Sequence, residues 1–136
     1  MRKIEREMEH FIRWGGFPDG VGRWKKDNTE VRRFLEENGN LCVTEVYLHG
    51  NLISREERGR IGSPRSGHAV LRLSSCGWKT ATTKSRINAV LRALGFNGGV
   101  YQTKRVWHLW QNPGSMQGRA VCPSMPFSDG MEIYLA

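Results

Sequence analysis

Residues 74–110, SSCGWKTATTKSRINAVLRALGFNGGVYQTKRVWHLW, carry the signals of a turn, a helix and a hairpin in one unbroken stretch. Thr82 or Thr83 is a suitable N-cap residue, and Gly95 is a suitable stop residue. The apolar residues between them follow the period of a helix, which predicts a helix over residues 83–94. The apolar stripe of this helix consists of Ile87, Val90, Leu91 and Leu94.

The part of the stretch after Gly95 predicts a β-hairpin. Residues 100–103 and 106–111 are rich in aromatic and β-branched residues, with a turn near residues 104–105. Because side chains alternate along a strand, Trp107 shares one face with Leu109 and Trp110 shares the other with His108. One face has to pack on the core, so we expect at most one of the two tryptophans to be exposed.

The rest of the chain alternates between helical and strand patterns. Apolar spacing predicts helices over residues 2–14 and 30–38, the second between N-cap residues and Gly39. A run of β-branched and aromatic residues around the Gly50-Asn51 turn predicts a hairpin over residues 41–57. The other predicted segments are a mobile loop at 59–67, a strand at 68–73, an irregular Gly/Pro-rich segment at 112–130 and an edge strand at 131–135.

Together these elements predict an α+β fold in a single domain over residues 1–136. Its core is expected to be an antiparallel sheet of about five strands, with helices 2–14 and 83–94 packed on it. The chain has 136 residues. A domain of that size can bury roughly two thirds of its unfolded surface and needs no disulfide or metal to fold.

The charge of the chain predicts a negatively charged partner. The formal net charge is +8, and fifteen of the twenty-one cationic residues are arginine. Arginine pairs bidentately with phosphate and stacks on flat rings, so nucleic acid, DNA or RNA, is the expected partner. An acidic protein surface, or no charged partner at all, remains open as an alternative.

Several classes of function have little support in the sequence. Three cysteines, Cys42, Cys76 and Cys122, and the lack of a secretion signal predict reduced thiols in a cytoplasmic protein. The cysteines are too widely spaced for a metal site, and no cofactor is predicted. No carboxylate pair or tied Cys–His pair predicts catalysis, so no catalytic residue is expected. No apolar run suits a membrane span, and the sequence predicts no oligomeric state.

Cations in the first turn of the predicted helix 83–94 suggest an anion site, because positive charge there opposes the helix dipole. Unpaired backbone N–H groups at this end would hold the anion. On the hairpin, rings would stack on bases while cations contact phosphates. Solvated cations and packed aromatic rings are the alternative interpretation. The predicted contact residues are Thr83, Lys84, Arg86, Asn88 and Arg92 on the helix, and Tyr101, Lys104, Arg105 and Trp107 on the hairpin.

A second basic segment precedes the strand at 68–73. Its arginines, in a glycine-rich surrounding, are candidates for following a phosphate backbone, although a plain surface loop would have the same composition. Gly62 and Gly67 have the spacing of a nucleotide-binding P-loop, but His68 stands where that motif needs lysine. The candidate residues are Arg55, Arg58, Arg60 and Arg65.

The central segment, residues 68–110, resembles small proteins encoded by bacteriophages, most of which have no assigned activity. The resemblance rests on Gly77-Trp78, on Thr82-Thr83 with Arg86-Ile87-Asn88 and Leu91, and on the hairpin from Val100-Tyr101-Gln102 to Trp107. It implies a phage setting and the cytoplasm of an infected bacterium. It carries over no catalytic residue and places no metal.

Two functions follow as hypotheses. The first is a non-enzymatic basic protein that binds nucleic acid largely independently of sequence, because no segment resembles a recognition helix. The second is a phage-encoded inhibitor used in host takeover or against host defence. It would bind and block a host protein such as a defence nuclease or another nucleic-acid enzyme, using the exposed hairpin as its contact.

Overall fold

A computed structural model describes residues 2–15, 21–111 and 124–135 of the chain. Two helices and nine strands lie in these ranges. They are α1 (Lys3–Trp14), β1 (Gly22–Lys26), β2 (Thr29–Glu36), β3 (Leu41–Leu48), β4 (Asn51–Gly59), β5 (Ala69–Leu73), α2 (Ala81–Ala93), β6 (Gly98–Thr103), β7 (Val106–Gln111), β8 (Ser124–Pro126) and β9 (Met131–Tyr134).

The strands form two antiparallel sheets. The main sheet has six strands in the order β1-β2-β3-β4-β5-β9, and the small sheet has three in the order β6-β7-β8. The α+β class and the antiparallel pairing are confirmed. The expected count of about five strands in one sheet is wrong, because the second hairpin pairs with β8 and forms a sheet of its own.

The prediction of a helix at residues 30–38 is wrong, because this segment is strand β2. Its eight residues pair with β3 from Thr29 to Glu36. The residues interpreted as helix caps form tight turns instead. Asp27 lies in the β1–β2 turn with a φ of 53°, and Gly39 lies in the β2–β3 turn with a φ of 88°. Asn, Asp and Gly are common both in helix caps and in tight turns. The long series of backbone pairs with β3 determines that this segment is a strand.

Both predicted main helices are confirmed, and they pack on one face of the main sheet. Met8 and Ile12 of α1 are buried with Ile87, Val90 and Leu91 of α2. These side chains belong to one hydrophobic cluster that also includes residues of both sheets. Burial of such large apolar side chains stabilises the fold by roughly 1.5–3 kcal/mol for each.

The other strand predictions are largely confirmed. The hairpin at 41–57 is β3 and β4, joined by a turn at residues 49–50. Residues 131–134 form β9, which pairs with β5 and closes one edge of the main sheet. Of the segment predicted as irregular, residues 112–123 lie outside the described ranges, whereas residues 124–126 form β8. The loop predicted at 59–67 contains successive turns with backbone hydrogen bonds.

A guanidinium group from the main sheet closes the C-terminal end of α1. Arg33 of β2 donates hydrogen bonds to the carbonyl oxygens of Ile12 and Gly15, the second at 2.7 Å. A cation at this end complements the helix dipole and satisfies carbonyls that have no partner within the helix. Arg33 therefore orients α1 on the sheet.

Candidate nucleic-acid interface

The start of α2 differs in detail from the predicted anion site. Thr80 is the N-cap residue, and its hydroxyl accepts a hydrogen bond of 3.1 Å from the backbone N–H of Thr83. Thr83 itself is buried, and its hydroxyl lies 3.0 Å from that of Thr80. Lys84 is half-buried, and its backbone N–H bonds to the Thr80 carbonyl. The Thr83 hydroxyl is therefore engaged by the N-cap residue of its own helix.

Arg86 lies in the core and does not face solvent. Its side chain is only 5% exposed and donates hydrogen bonds to Glu5 at 2.8 Å and to Thr29 at 3.0 Å. Ser85 also donates a hydrogen bond to the Glu5 carboxylate. Burial alone raises the pKa of Glu5, but the hydrogen bonds from Ser85 and Arg86 outweigh it and hold this pKa below its usual range. Arg86 joins α2 to α1 and β2.

The other two polar residues predicted on α2 also bind other parts of the chain. The Asn88 amide donates to the Val100 carbonyl at 3.0 Å and accepts from the Val100 N–H at 2.7 Å. It thereby attaches the small sheet to the helix. Arg92 pairs with Glu9 of α1 at 2.9 Å. Asn88 is thus committed to the small sheet, whereas the 41% exposed Arg92 side chain uses only its Nε–H group for Glu9.

The arginines of the second basic segment are mostly paired on the main sheet. Arg55 contacts the carboxylates of Glu36, Glu45 and Glu57 at 2.8–3.0 Å. Burial lowers the pKa of the Arg55 guanidinium, but the hydrogen bonds to Glu45 and Glu57 dominate and raise it above its ordinary value. Arg58 pairs with Glu56 at 2.7 Å.

The two remaining arginines of that segment lie in the loop after β4. Arg65 pairs with Glu37 at 3.5 Å, and Arg60 is exposed and donates to the Gly39 carbonyl. Only Arg60 of the four is therefore without a carboxylate partner among the residues that the structure describes.

Pairing of the acidic residues determines where the positive charge remains. All ten glutamates of the chain form ion pairs with arginine, lysine or histidine. The outer face of the main sheet therefore has closely balanced charges. Within the described ranges, cations without an ion pair are spread over α1, the turns and the start of α2, and they include Lys79, Lys84, Lys104 and Arg105.

The small sheet has a buried and an outward face, as the alternation predicts. Trp107 and Leu109 point inward, and Trp107 packs edge-on against Phe127 with ring centroids 5.4 Å apart. Tyr101 and His108 pair across β6 and β7 on the outward face and stack at 5.3 Å. Tyr101 remains 40% exposed. The prediction that at most one of Trp107 and Trp110 is exposed is confirmed, and Trp107 is the core residue.

The tip of this hairpin carries two adjacent cations. Lys104 and Arg105 are exposed and join β6 to β7 in a two-residue turn. Both have positive φ, 49° and 64°. We call the outward side chains Tyr101, His108 and Trp110, together with Lys104 and Arg105, the hairpin surface.

Comparison with known proteins places the chain in a phage family. The family model described as Kyanoviridae Gp96 protein matches residues 1–134. The chain belongs to this family. No curated protein and no solved structure matches it. The match confirms the phage resemblance of residues 68–110 and extends it over almost the whole chain.

Within residues 2–15, 21–111 and 124–135, no group of three or more His, Cys, Asp or Glu side chains is placed to hold a metal ion. No helix in those ranges is both long and apolar enough to cross a membrane.

The predicted contact residues of this Gp96-family protein omit a half-buried histidine and an exposed tryptophan. His108 was not among the predicted contact residues, although alternation along β7 places it opposite Trp107 and beside Tyr101. Trp78 contributes to the phage resemblance but was not among the predicted contact residues, although it is largely exposed. Its position after Gly77, in the turn that leads into α2, was the available signal.

Proposed function

We propose that this phage protein binds single-stranded nucleic acid through the hairpin surface, without catalysis and largely without sequence preference. Tyr101 and His108 would stack on bases while Lys104 and Arg105 contact phosphates. Binding would occur in the cytoplasm of the infected bacterium. The main support is the choice of residues at the hairpin turn.

Lys104 and Arg105 occupy positions that favour other residue types. Two-residue hairpin turns with positive φ strongly prefer Asn-Gly or Asp-Gly. The left-handed conformation costs other residues about 1–2 kcal/mol each. In the described ranges, every other turn with positive φ contains Asp, Asn or Gly at one such position. This turn has none of them, which suggests that two exposed cations are retained there at the expense of stability.

The distribution of charge supports the same surface. Each glutamate is committed to an ion pair elsewhere, so no glutamate neutralises the cations of the turn. Exposed cations beside aromatic rings are the combination used by sequence-tolerant single-strand binders. The paired arginines Arg55, Arg58, Arg86 and Arg92 are left out of this proposal, as are the buried Thr83 and Trp107.

Binding to a fluorescently labelled oligonucleotide, followed by anisotropy, tests the proposal. Single-stranded DNA and RNA should bind with an affinity that falls steeply with salt, because phosphate contacts release counterions. The double variant Lys104→Ala/Arg105→Ala should lower the log–log salt slope by roughly 1.5 to 2 units.

The matched control is Lys3→Ala/Arg6→Ala, which removes one lysine and one arginine from the exposed side of α1. It should weaken binding much less and leave the slope almost unchanged. No binding at low salt, or equal effects of the two double variants, would contradict the proposal.

A second candidate function is inhibition of a host protein, such as a defence nuclease, by docking of the same hairpin. Val106 follows the basic turn and is 48% exposed, beside the rings of the hairpin surface. An apolar side chain rimmed by polar groups is typical of a protein contact. A pull-down from host lysate with and without nuclease treatment separates the two functions. A stoichiometric partner that survives nuclease and is lost on Val106→Asp would support inhibition.

A further inference from the structure

A cleft of about 540 Å³ lies between the β3–β4 turn and the start of α2. Its volume is in the range of about 300–1,000 Å³ that is usual for small-molecule sites. The buried side chains of Leu48 and Ile53 line its inner part. Trp78, Asn51 and Thr82 line it further out. None of these residues belongs to the hairpin surface.

The residues that line the cleft are mostly apolar or uncharged polar residues. The lining contains no aspartate, glutamate, lysine or arginine, and its one imidazole, that of His49, lies at an exposed position. Burial of a full charge against such walls would be costly, so the part of a ligand that enters should be uncharged. The apolar inner part favours a ligand with a flat or apolar body.

Trp78 offers an aromatic wall whose exposure is built into the turn. Its indole is 63% exposed. Its backbone is fixed on both sides, since its N–H bonds to the Ser75 carbonyl at 2.8 Å and its carbonyl accepts from Thr80 at 2.9 Å. The Ser75 hydroxyl and N–H are held in turn by Asp129, at 2.8 and 2.7 Å. A tryptophan held in this way is suited to stack on a planar ring.

Asn51 supplies the polar edge that a planar ligand would need. Its side-chain amide has one acceptor and two donor positions and forms no hydrogen bond with the described residues. The Thr82 hydroxyl lies on the same cleft and accepts only a long hydrogen bond, 3.4 Å, from Arg2. An amide with open donors and an open acceptor matches the edge of a nucleobase.

Outside the cleft, cations lie next to lining residues in the chain. Lys79 follows Trp78 and is exposed, and Lys84 follows Thr83. Neither forms an ion pair within the described ranges. A phosphate attached to a base in the cleft would therefore meet positive charge at the entrance and neutral walls inside.

We propose that this cleft binds a single nucleobase as part of a nucleotide, with the ring against Trp78 and its polar edge at Asn51. The phosphate remains outside, near Lys79. The site is separate from the hairpin surface and does not depend on the proposed binding of oligonucleotides there.

Titration of the full chain with the 5′-monophosphates of adenosine, guanosine, cytidine and uridine, followed by calorimetry or by NMR of the indole N–H signals, tests the site. At least one should bind saturably with one site per chain. Trp78→Ala should weaken binding about tenfold, the loss of one base stack of about 1.4 kcal/mol. Asn51→Ala should also weaken it and should change the order of preference among the four bases.

Trp14→Ala is the matched control, because Trp14 is exposed to a similar extent, 67%, on α1. It should leave the affinity unchanged. Lack of saturable binding, equal weakening by both tryptophan variants, or complete competition by inorganic phosphate would overturn the proposal. Lys104→Ala/Arg105→Ala should leave nucleotide binding intact, so failure of the hairpin surface and failure of the cleft are distinguishable.

Discussion

Arg86 of α2 and Glu5 of α1 form a buried ion pair at 2.8 Å between side chains that are 5% and 2% exposed. The two residues are 81 positions apart in the chain. The pair also contacts Thr29 of β2 and Ser85 of α2, so a single polar cluster joins both helices to the main sheet. This cluster fixes the positions of the two helices relative to the main sheet, beside the hydrophobic cluster of the core.

Loss of Arg86 should therefore be strongly destabilising. Arg86→Met leaves the Glu5 carboxylate buried without its cation, and removal of one partner of a buried pair typically costs about 3–5 kcal/mol. Urea unfolding followed by circular dichroism measures the change in the free energy of unfolding.

Two further variants show whether the unpaired charge is the cause. The double variant Glu5→Leu/Arg86→Met should recover most of the loss, since apolar replacement of both partners is often neutral. Arg92→Met, which removes a more exposed pair with Glu9, should cost no more than about 1 kcal/mol. A double variant as unstable as Arg86→Met would contradict this account.

The stability of the protein should decrease in acid. The pKa values of Glu5 and Glu57 are held below their ordinary range; burial opposes this, but hydrogen bonds from Arg86 and Ser85, and from His68 and Arg55, prevail. The folded state then binds fewer protons than the unfolded state. Its extra stability is complete above the unfolded carboxyl pKa of about 4.3 and is lost as the pH falls through the lower folded values.

A series of urea unfolding curves between pH 6 and pH 2.5, at intervals of roughly half a unit around that carboxyl pKa, measures this loss. Glu57→Gln should give a shallower decrease, because one of the contributing carboxylates is absent. Glu37→Gln, in the exposed β2–β3 turn, is the matched control. An identical decrease in all three proteins would show that these groups do not cause the acid sensitivity.

Asn88 should be needed for the attachment of the small sheet. Asn88→Ala leaves both backbone groups of Val100 without their partner, at an expected cost of about 1–3 kcal/mol. Hydrogen exchange should show faster opening of β6 and β7 than of the main sheet. Asn97→Ala, at an exposed position, is the control. Uniform exchange changes in both sheets would argue against a local role for Asn88.

Replacement of Lys104-Arg105 by Asn-Gly separates stability from binding. The new residues suit positive φ, so the free energy of unfolding should rise by about 1–2 kcal/mol. Oligonucleotide binding should weaken at the same time because two cations are lost. Thermal unfolding and anisotropy measure the two effects. A variant that is more stable and binds equally well would remove the functional reason proposed for this turn.

The sequence predicted correctly those elements whose apolar residues follow a single periodicity, either that of a helix or that of a strand. The stripe of α2 and the alternation of β7 identified both the elements and their buried faces. The prediction of a helix over residues 30–38 was wrong because Val31, Phe34 and Leu35 also fit one face of a helix. The turn residues on either side of this segment resemble helix caps. The eight-residue ladder with β3 is a non-local interaction that no local window contains.

Strand β1 was missed for a related reason. Its sequence, GRWKK, has a single large apolar residue, Trp24, and little strand signal. Pairing with β2, and not composition, places it in the main sheet.

The candidate site was predicted only in part. Lys104, Arg105 and Tyr101 lie together because they belong to one hairpin, which is local information. The burial of Arg86 depends on its pairing with Glu5, which is distant in the chain. Helical periodicity alone assigns Arg86 to the polar side of the helix. The cleft beside Trp78 is formed by two segments that meet only in the folded molecule.

The edge of the main sheet at β5 has a consequence for synthesis of the chain. Residues 69–73 leave the ribosome long before residues 131–134, with α2 and the hairpin in between, yet β9 is the strand that covers this edge. Until β9 arrives, the backbone N–H and C=O groups of β5 are open to pairing with another chain. A truncated protein that ends before Met131 should therefore leave the β5 edge of the main sheet unpaired and should aggregate more readily.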